Sequence, residues 1–279
     1  MLLKLHVLHF NHQLRPEADH EQNFVKSLAD HYKIPFHYKT AKHLKLGQTG
    51  LQETARQWRI EESIKMLKKV EADCIATGHH ADDQTETILL KWLRGTHISN
   101  FQGMLWKNPP FIRPLLNCRK KELKLYLQNN NFSWMEDSTN LSSAYLRNRV
   151  RMELIPLLNE LTREGLDSRI SDLNKQSSLF REWLDKEYTK WSVASRSAES
   201  KHDCKISLDD LKKVNRLLQE EIIYKLITSK TNIELSYKNL RNIFGLLISE
   251  NKHWEYTLSE EWTLVNSGNE LSLHNKPKS

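Results

Sequence analysis

Three times in the first 93 residues a short apolar run gives way to a segment whose apolar residues recur at helical spacing, and this alternation restricts the fold more than any other feature. Residues 2 to 10, LLKLHVLHF, suit a buried parallel strand. After Arg15-Pro16-Glu17, the residues Val25, Leu28, Ala29 and Tyr32 fall on one helical face. Pro35-Phe36-His37-Tyr38 reads as a second strand, followed from about Gly50 to Val70 by a helix carrying Leu51, Ala55, Ile60, Ile64 and Leu67. Asp73 to Thr77 is a third strand, running directly into TGHHADDQTET and a helix with Ile88, Leu89, Trp92 and Leu93. Strand and helix in alternation predict an α/β fold, an open parallel sheet with helices on both faces, and such sheets bind ligands at the carboxyl ends of their strands. TGHHADDQTET stands at one such end, and His9-Phe10-Asn11-His12 at another.

Beyond Pro109-Pro110, Phe111 to Leu116 lead into an amphipathic helix with Leu123, Leu125, Tyr126 and Leu127, and the polar run EDSTN precedes YLRNRVRMELIPLL. From about residue 160 the pattern becomes long charged helices, near 165–192, 207–229 and 236–250, with a serine-rich loop from Ser192 to Lys205. The tail alternates apolar and polar residues around Ser267-Gly268-Asn269, which predicts a terminal hairpin. The expected division is an α/β domain over 1–158 and a smaller, mainly helical domain over 159–279 ending in a β-hairpin.

No apolar run approaches the roughly 18 residues that a membrane span needs. Lys4, His6 and His9 break up the N-terminal apolar stretch, so it reads as a strand rather than a signal peptide. Cys74, Cys118 and Cys204 stand far apart without CxxC spacing, which fits a reducing, cytoplasmic setting. The formal charge of +7 favours a polyanionic partner. Glycine is scarce at eight residues, and neither GxGxxG nor GxxxxGK[ST] occurs.

TGHHADDQTET admits three readings: a metal site, a catalytic turn or a capped helix start. A helix beginning near Ala81 puts Asp82, Asp83 and Gln84 in its first turn, where unpaired N–H groups stabilise carboxylates. Capping leaves His79, His80 and Glu86 unexplained. Asp83 and Glu86, three apart, share one face, whereas Ile88, Leu89, Trp92 and Leu93 point to the sheet's core. HHxDD matches no closed zinc pattern, and a hydrated magnesium held by Asp83 jointly with substrate phosphates suits the carboxylates better. Arg147-Asn148-Arg149-Val150-Arg151, behind Asp137 to Asn140, could clamp phosphates or simply be a solvated helix start. Arg119-Lys120-Lys121 and the pair Arg56 and Arg59 add to a nucleic-acid face. The helix GLQETARQWR, with Gln52, Glu53 and Ala55, is structural on these grounds alone.

In order, HVLHFNHQLR, GLQETARQWR, TGHHADDQTETILLKWLRGT, FIRPLL with RKKEL, and WMEDSTN followed by RNRVR resemble the tRNA(Ile)-lysidine synthetase family from residue 5 to about 158. Residues 160 to 275 look like that family's tRNA-contacting domain. The resemblance implies an N-type ATP pyrophosphatase fold and a two-step reaction. ATP, with Mg²⁺, adenylates the C2 oxygen of the wobble cytidine in the CAU-anticodon isoleucine tRNA, and the amine of free L-lysine then displaces AMP. Carried over residue by residue, it places His79 and Asp83 at the reaction centre, has Arg147 and Arg151 bind phosphate, and lets Glu86, Glu53, Arg56 and His9 line the lysine and nucleotide pocket.

The family begins with a strand and a glycine-rich SGGxDS loop that cradles ATP phosphates, and no SGG string occurs here. The favoured explanation is a start codon placed downstream of that segment, ahead of a split chain or a degenerate non-enzyme. On that basis the 279 residues alone are expected neither to bind ATP well nor to turn over. Competing readings are another PP-loop tRNA-modifying enzyme such as a thiolase, which scattered cysteines disfavour, a non-catalytic tRNA-binding module, and a metal-dependent hydrolase using His79 and Asp83.

Overall fold

A computed structural model of the chain describes residues 3–14, 16–41, 50–136, 146–163, 165–195, 205–231, 233 and 235–275. Arg15, the run Asp137 to Asn140, Cys204 and most of the serine-rich loop lie outside the described residues. Contacts divide the chain into two compact units, one drawn from residues 1–80 and 105–139 and the other from 81–104 and 140–279.

The first unit carries the parallel strands. Strand β1 (Val7–Asn11) pairs in parallel with β2 (Phe36–Thr40), His9 standing opposite Tyr38, and helix α1 (Ala18–His31) makes the crossover. The strand is shorter than the apolar run suggested, because residues 3 to 6 lie outside the ladder. Helix α2 (Leu51–Lys69) follows, and its Leu51, Ala55 and Trp58 pack with Leu14 and Ala41. Beyond it, β3 (Ile75–Ala76) pairs in parallel with β5 (Phe111–Ile112), against which β4 (Lys107–Asn108) runs antiparallel. The ladder thus comes in two pieces, each with a parallel pair of the α/β pattern. Helix α4 (Lys120–Asn129) closes this unit, its first turn held by Arg119 N–H donating to the Glu122 carboxylate at 2.7 Å.

The second unit opens with α3 (Ala81–Leu93), which stops at Gly95, a residue at φ +68° that a side chain would strain. A 3₁₀ turn (Ile98–Asn100) leads away from it. Helix α5 (Leu146–Arg149), a π turn (Val150–Leu154) and α6 (Ile155–Leu161) form one continuous rod, and α7 (Leu166–Ala194) is the longest helix described. The helix expected over 207–229 is broken in two, α8 (Leu208–Lys212) and α9 (Arg216–Thr228). Ser207 and Asn215 each cap a new start, Asn215 Oδ1 accepting Leu218 N–H at 3.0 Å, and periodicity alone passes over such a restart. After α10 (Tyr237–Ile248), the expected terminal hairpin is part of a four-stranded antiparallel sheet. Its order is β6 (Lys205–Ser207), β9 (Glu270–Asn275), β8 (Trp262–Ser267) and β7 (His253–Thr257). Leu184, Ile223, Ile227, Leu240, Ile243, Leu264 and Leu271, all fully buried, form the core that joins these helices to the sheet.

Candidate active site

Helix α3 positions its acids because its other side is anchored. Ile88 packs with Leu166 and Ile170, and Leu89 and Leu90 pack with Val150 of the π turn. This corrects the expectation that Ile88, Leu89, Trp92 and Leu93 share one core-facing side: Trp92 is 64% and Leu93 46% exposed, and Leu90 takes the inward place. The consecutive residues Ile88 to Leu90 are buried because α3 is covered from two sides, by α7 at Ile88 and by the π turn at Leu89 and Leu90.

The rod that covers α3 also carries the RNRVR segment. Arg147 and Arg151, four apart, stand on one side of the rod and reach back to α3. Glu86, 1% exposed, takes both of them. Arg147 Nε donates to Glu86 Oε2 at 2.8 Å, and Arg151 donates through Nε to Oε1 at 2.5 Å and through Nη2 to Oε2 at 3.0 Å. Arg147 Nη2 also donates to Asp83 Oδ1 at 3.4 Å, and Arg151 Nη2 lies 4.0 Å from the same oxygen. The hydrogen bond to Glu86, against the opposing effect of burial, holds the Arg151 guanidinium above its ordinary pKa, with Asp83 and Asp82 adding to it. Arg147 and Arg151 keep 40% and 31% of their side-chain surface exposed. Arg149 points elsewhere, to Glu153 at 2.9 Å. The π turn at Val150–Leu154 falls at the arginines, a place where such irregularities often serve a site.

A second set of contacts fixes α3 from behind. Gln84 donates through Nε2 to Met104 O at 2.8 Å and accepts Met104 N–H at 2.6 Å, while Gly103 N–H donates to Asn174 Oδ1 at 2.6 Å. The Gln84 amide packs directly against Gly103, so a side chain at 103 would have to displace that amide from Met104. Lys91 Nζ ties the following loop through Asn100 O and Gln102 O at 2.8 and 2.7 Å. Sequence reasoning gave Gln84 only a place in the first helical turn and passed over Gly103 and Asn174. Their one signal was Gln84, an uncharged amide directly after Asp82 and Asp83.

The remaining predicted site residues lie in the first unit. His79 follows β3, half-buried, with Nδ1 2.8 Å from the Thr77 hydroxyl. His9 is half-buried on β1, and burial lowers its pKa while Glu21 opposes the shift. Arg56 is exposed on α2, and its charge joins burial in lowering the pKa of Arg113. Asn11, 2% exposed, closes the end of β1 by donating to Asp19 Oδ1 at 2.7 Å and Gln22 Oε1 at 3.1 Å. Among the described residues no three His, Cys, Asp or Glu side chains gather as a metal-ligand set. No described helix is long and apolar enough to cross a membrane.

A parallel-strand α/β unit whose third strand runs into an acidic helix start belongs to a recognisable class, and the PP-loop domain family matches residues 1–158. Within that class the chain belongs to the tRNA(Ile)-lysidine synthase family. It is 31% identical over 215 residues to the tRNA(Ile)-lysidine synthase of Petrotoga mobilis, covering 75% of this chain and 67% of that protein. It is 29% identical over 282 residues to the synthase of Enterococcus faecalis, covering 98% of this chain and 60% of that protein. The Borreliella afzelii synthase is 30% identical over 278 residues, with 95% and 61% covered. The chain thus spans about three fifths of the length of two of these three relatives. Among solved structures, the U34-tRNA thiolase NcsA of Methanococcus maripaludis superposes with a TM-score of 0.49 at 16% identity, over 63% of this chain and 61% of that one.

Proposed function

We propose that the protein takes part in ATP-dependent attachment of L-lysine to C2 of the wobble cytidine in the CAU-anticodon isoleucine tRNA, in the cytoplasm. What supports this is membership of the synthase family together with one observation: the acids of TGHHADDQTET and the arginines of RNRVR, 61 to 68 residues apart in sequence, meet in a single charged cluster. The division at 158/159 into catalytic and tRNA-contacting domains belongs to the same proposal.

ATP supplies the adenylyl group that turns the C2 oxygen into a leaving group, with Mg²⁺ offsetting phosphate charge. Arg147 and Arg151 fit phosphate, because both are partly exposed guanidiniums held in place by Glu86, and the forked guanidinium suits a phosphate's oxygens. Asp83 fits one carboxylate contact to a hydrated magnesium or to an ammonium, not a closed metal cage. Lysine must lose a proton as its nitrogen bonds to C2 and the C2–O bond to AMP breaks. His79 is the base for that proton, and the Thr77 hydroxyl orients its ring. Glu86 is a positioning residue for both arginines. His9 and Arg56 remain assigned to the nucleotide side.

The test is binding of the 279-residue chain to two tRNAs that share the CAU anticodon, the isoleucine tRNA before modification and the elongator methionine tRNA, over a range of salt. A preference for the isoleucine tRNA that persists as salt weakens both is expected, and equal affinity at every salt concentration overturns the reading. Incubation of the same chain with ATP, lysine and the isoleucine tRNA checks the expectation that these residues, which hold no SGGxDS string, do not turn over alone. Robust lysidine formation contradicts it.

A further inference from the structure

We infer that the cluster of Asp83, Glu86, Arg147 and Arg151 is a charge exchanger, in which an anion of the phosphate class on the arginines makes the carboxylates able to hold an ammonium. The inference rests on the assignment of lysine and phosphates to this site. As the side chains stand, two guanidiniums face two carboxylates, and their formal charges cancel. Asp82 lies near enough to act on Arg151 as well. An ammonium arriving at Asp83 or Glu86 meets a Glu86 carboxylate bonded by both arginines and an Asp83 carboxylate paired with them, and meets the positive charge of both. The attraction is therefore smaller than the same carboxylates would exert without the arginines.

A phosphate oxygen on the exposed edge of Arg147 changes that balance. The guanidinium then shares its charge with the anion, and the carboxylate pair regains net negative charge without any movement of α3. Arg147 is the natural control point, because it is the more exposed arginine and stands nearer Asp83, at 3.4 Å against 4.0 Å for Arg151. Arg151 is the anchor, with two hydrogen bonds to Glu86. The burial of Glu86 keeps water from screening the exchange. The consequence is an order of loading: the phosphate-bearing substrate first, the amine second. By linkage, lysine tightens the phosphate ligand by the same factor.

Inorganic pyrophosphate and L-lysine are the probes, with calorimetry on the 279-residue chain. Pyrophosphate is expected to tighten lysine binding by about fivefold or more, the lower end of ordinary coupling between two sites. Arg147→Met, checked for fold by circular dichroism, is expected to bind lysine more tightly than the unmodified chain does without pyrophosphate, and to show no coupling. A second measurement needs no variant. The Arg147 Nε–H resonance of the unmodified chain is expected to shift on adding pyrophosphate, and lysine to shift it further only when pyrophosphate is present. Lysine binding that is the same with and without pyrophosphate overturns the exchanger alone. Absence of lysine binding under every condition overturns both the exchanger and the assignment of the site.

Discussion

Arg151 and Glu86 meet through two hydrogen bonds, 2.5 and 3.0 Å, across 65 residues of sequence. The contact fixes the RNRVR segment on the acidic face of α3, and Arg147 adds a third bond to the same carboxylate.

Removing that carboxylate leaves two guanidiniums facing each other. Because both are partly exposed, Glu86→Ala is expected to cost about 2–3 kcal/mol, below the range for fully buried pairs. Glu86→Gln keeps an acceptor and is expected to cost about 1–2 kcal/mol. Urea denaturation of the two variants checks the order, and equal stability to the unmodified chain for Glu86→Ala contradicts it.

Ile88 and Trp92 lie on the same helix with opposite burial, 2% and 64% exposed. Ile88→Ala is expected to lose about 2–4 kcal/mol through the cavity it leaves, while Trp92→Ala stays within about 0.5 kcal/mol. The reverse order in thermal or chemical denaturation rejects the packing of α3 against Leu166 and Ile170.

The paired bonds between Gln84 and the backbone of Met104 close a loop onto α3. Gln84→Ala is expected to destabilise by about 1–2 kcal/mol and to speed amide exchange at Met104 more than at Ile223 in the distant core. Unchanged exchange at Met104 removes the role.

His97 is 1% exposed, stacked on Tyr224 and Tyr237, and hydrogen-bonds Ser99 at 2.7 Å and Glu220 at 3.4 Å. Burial lowers its pKa; Glu220 and Glu221 oppose the shift, and Arg181 adds to it. Because the folded pKa lies below the unfolded value near 6.5, the unfolded chain binds this proton first as pH falls. Stability is then complete above about pH 6.5 and declines as pH drops toward the folded pKa. Measured from about pH 7.5 to about pH 5, His97→Phe is expected to lose part of that slope, up to about 1.4 kcal/mol per pH unit for one proton. Parallel curves for the two chains contradict it.

Much of this was legible in the sequence, and the misses share a cause. Helices over 18–31, 51–69, 81–93, 166–194 and 237–248 follow apolar periodicity, which senses one buried face at a time. The division of 207–229 into two helices escaped it because Leu208 and Leu211 keep nearly the same phase as Leu218 and Ile222 across the Asn215 cap. At the site, the acids and arginines were visible as motifs. Their pairing was not, since nothing local in RNRVR says that Arg149 turns to Glu153 while Arg147 and Arg151 turn to Glu86. Helical phase could separate those two faces but could not name the partner.

Nucleoside mass spectrometry of tRNA, from cells in which the gene for this protein carries His79→Ala, tests the proposed function most directly. Loss of lysidine from the isoleucine tRNA, with unmodified cytidine in its place and unchanged levels of the protein, is the expected result. Lysidine at the level of unaltered cells, with the variant as the sole copy, contradicts it.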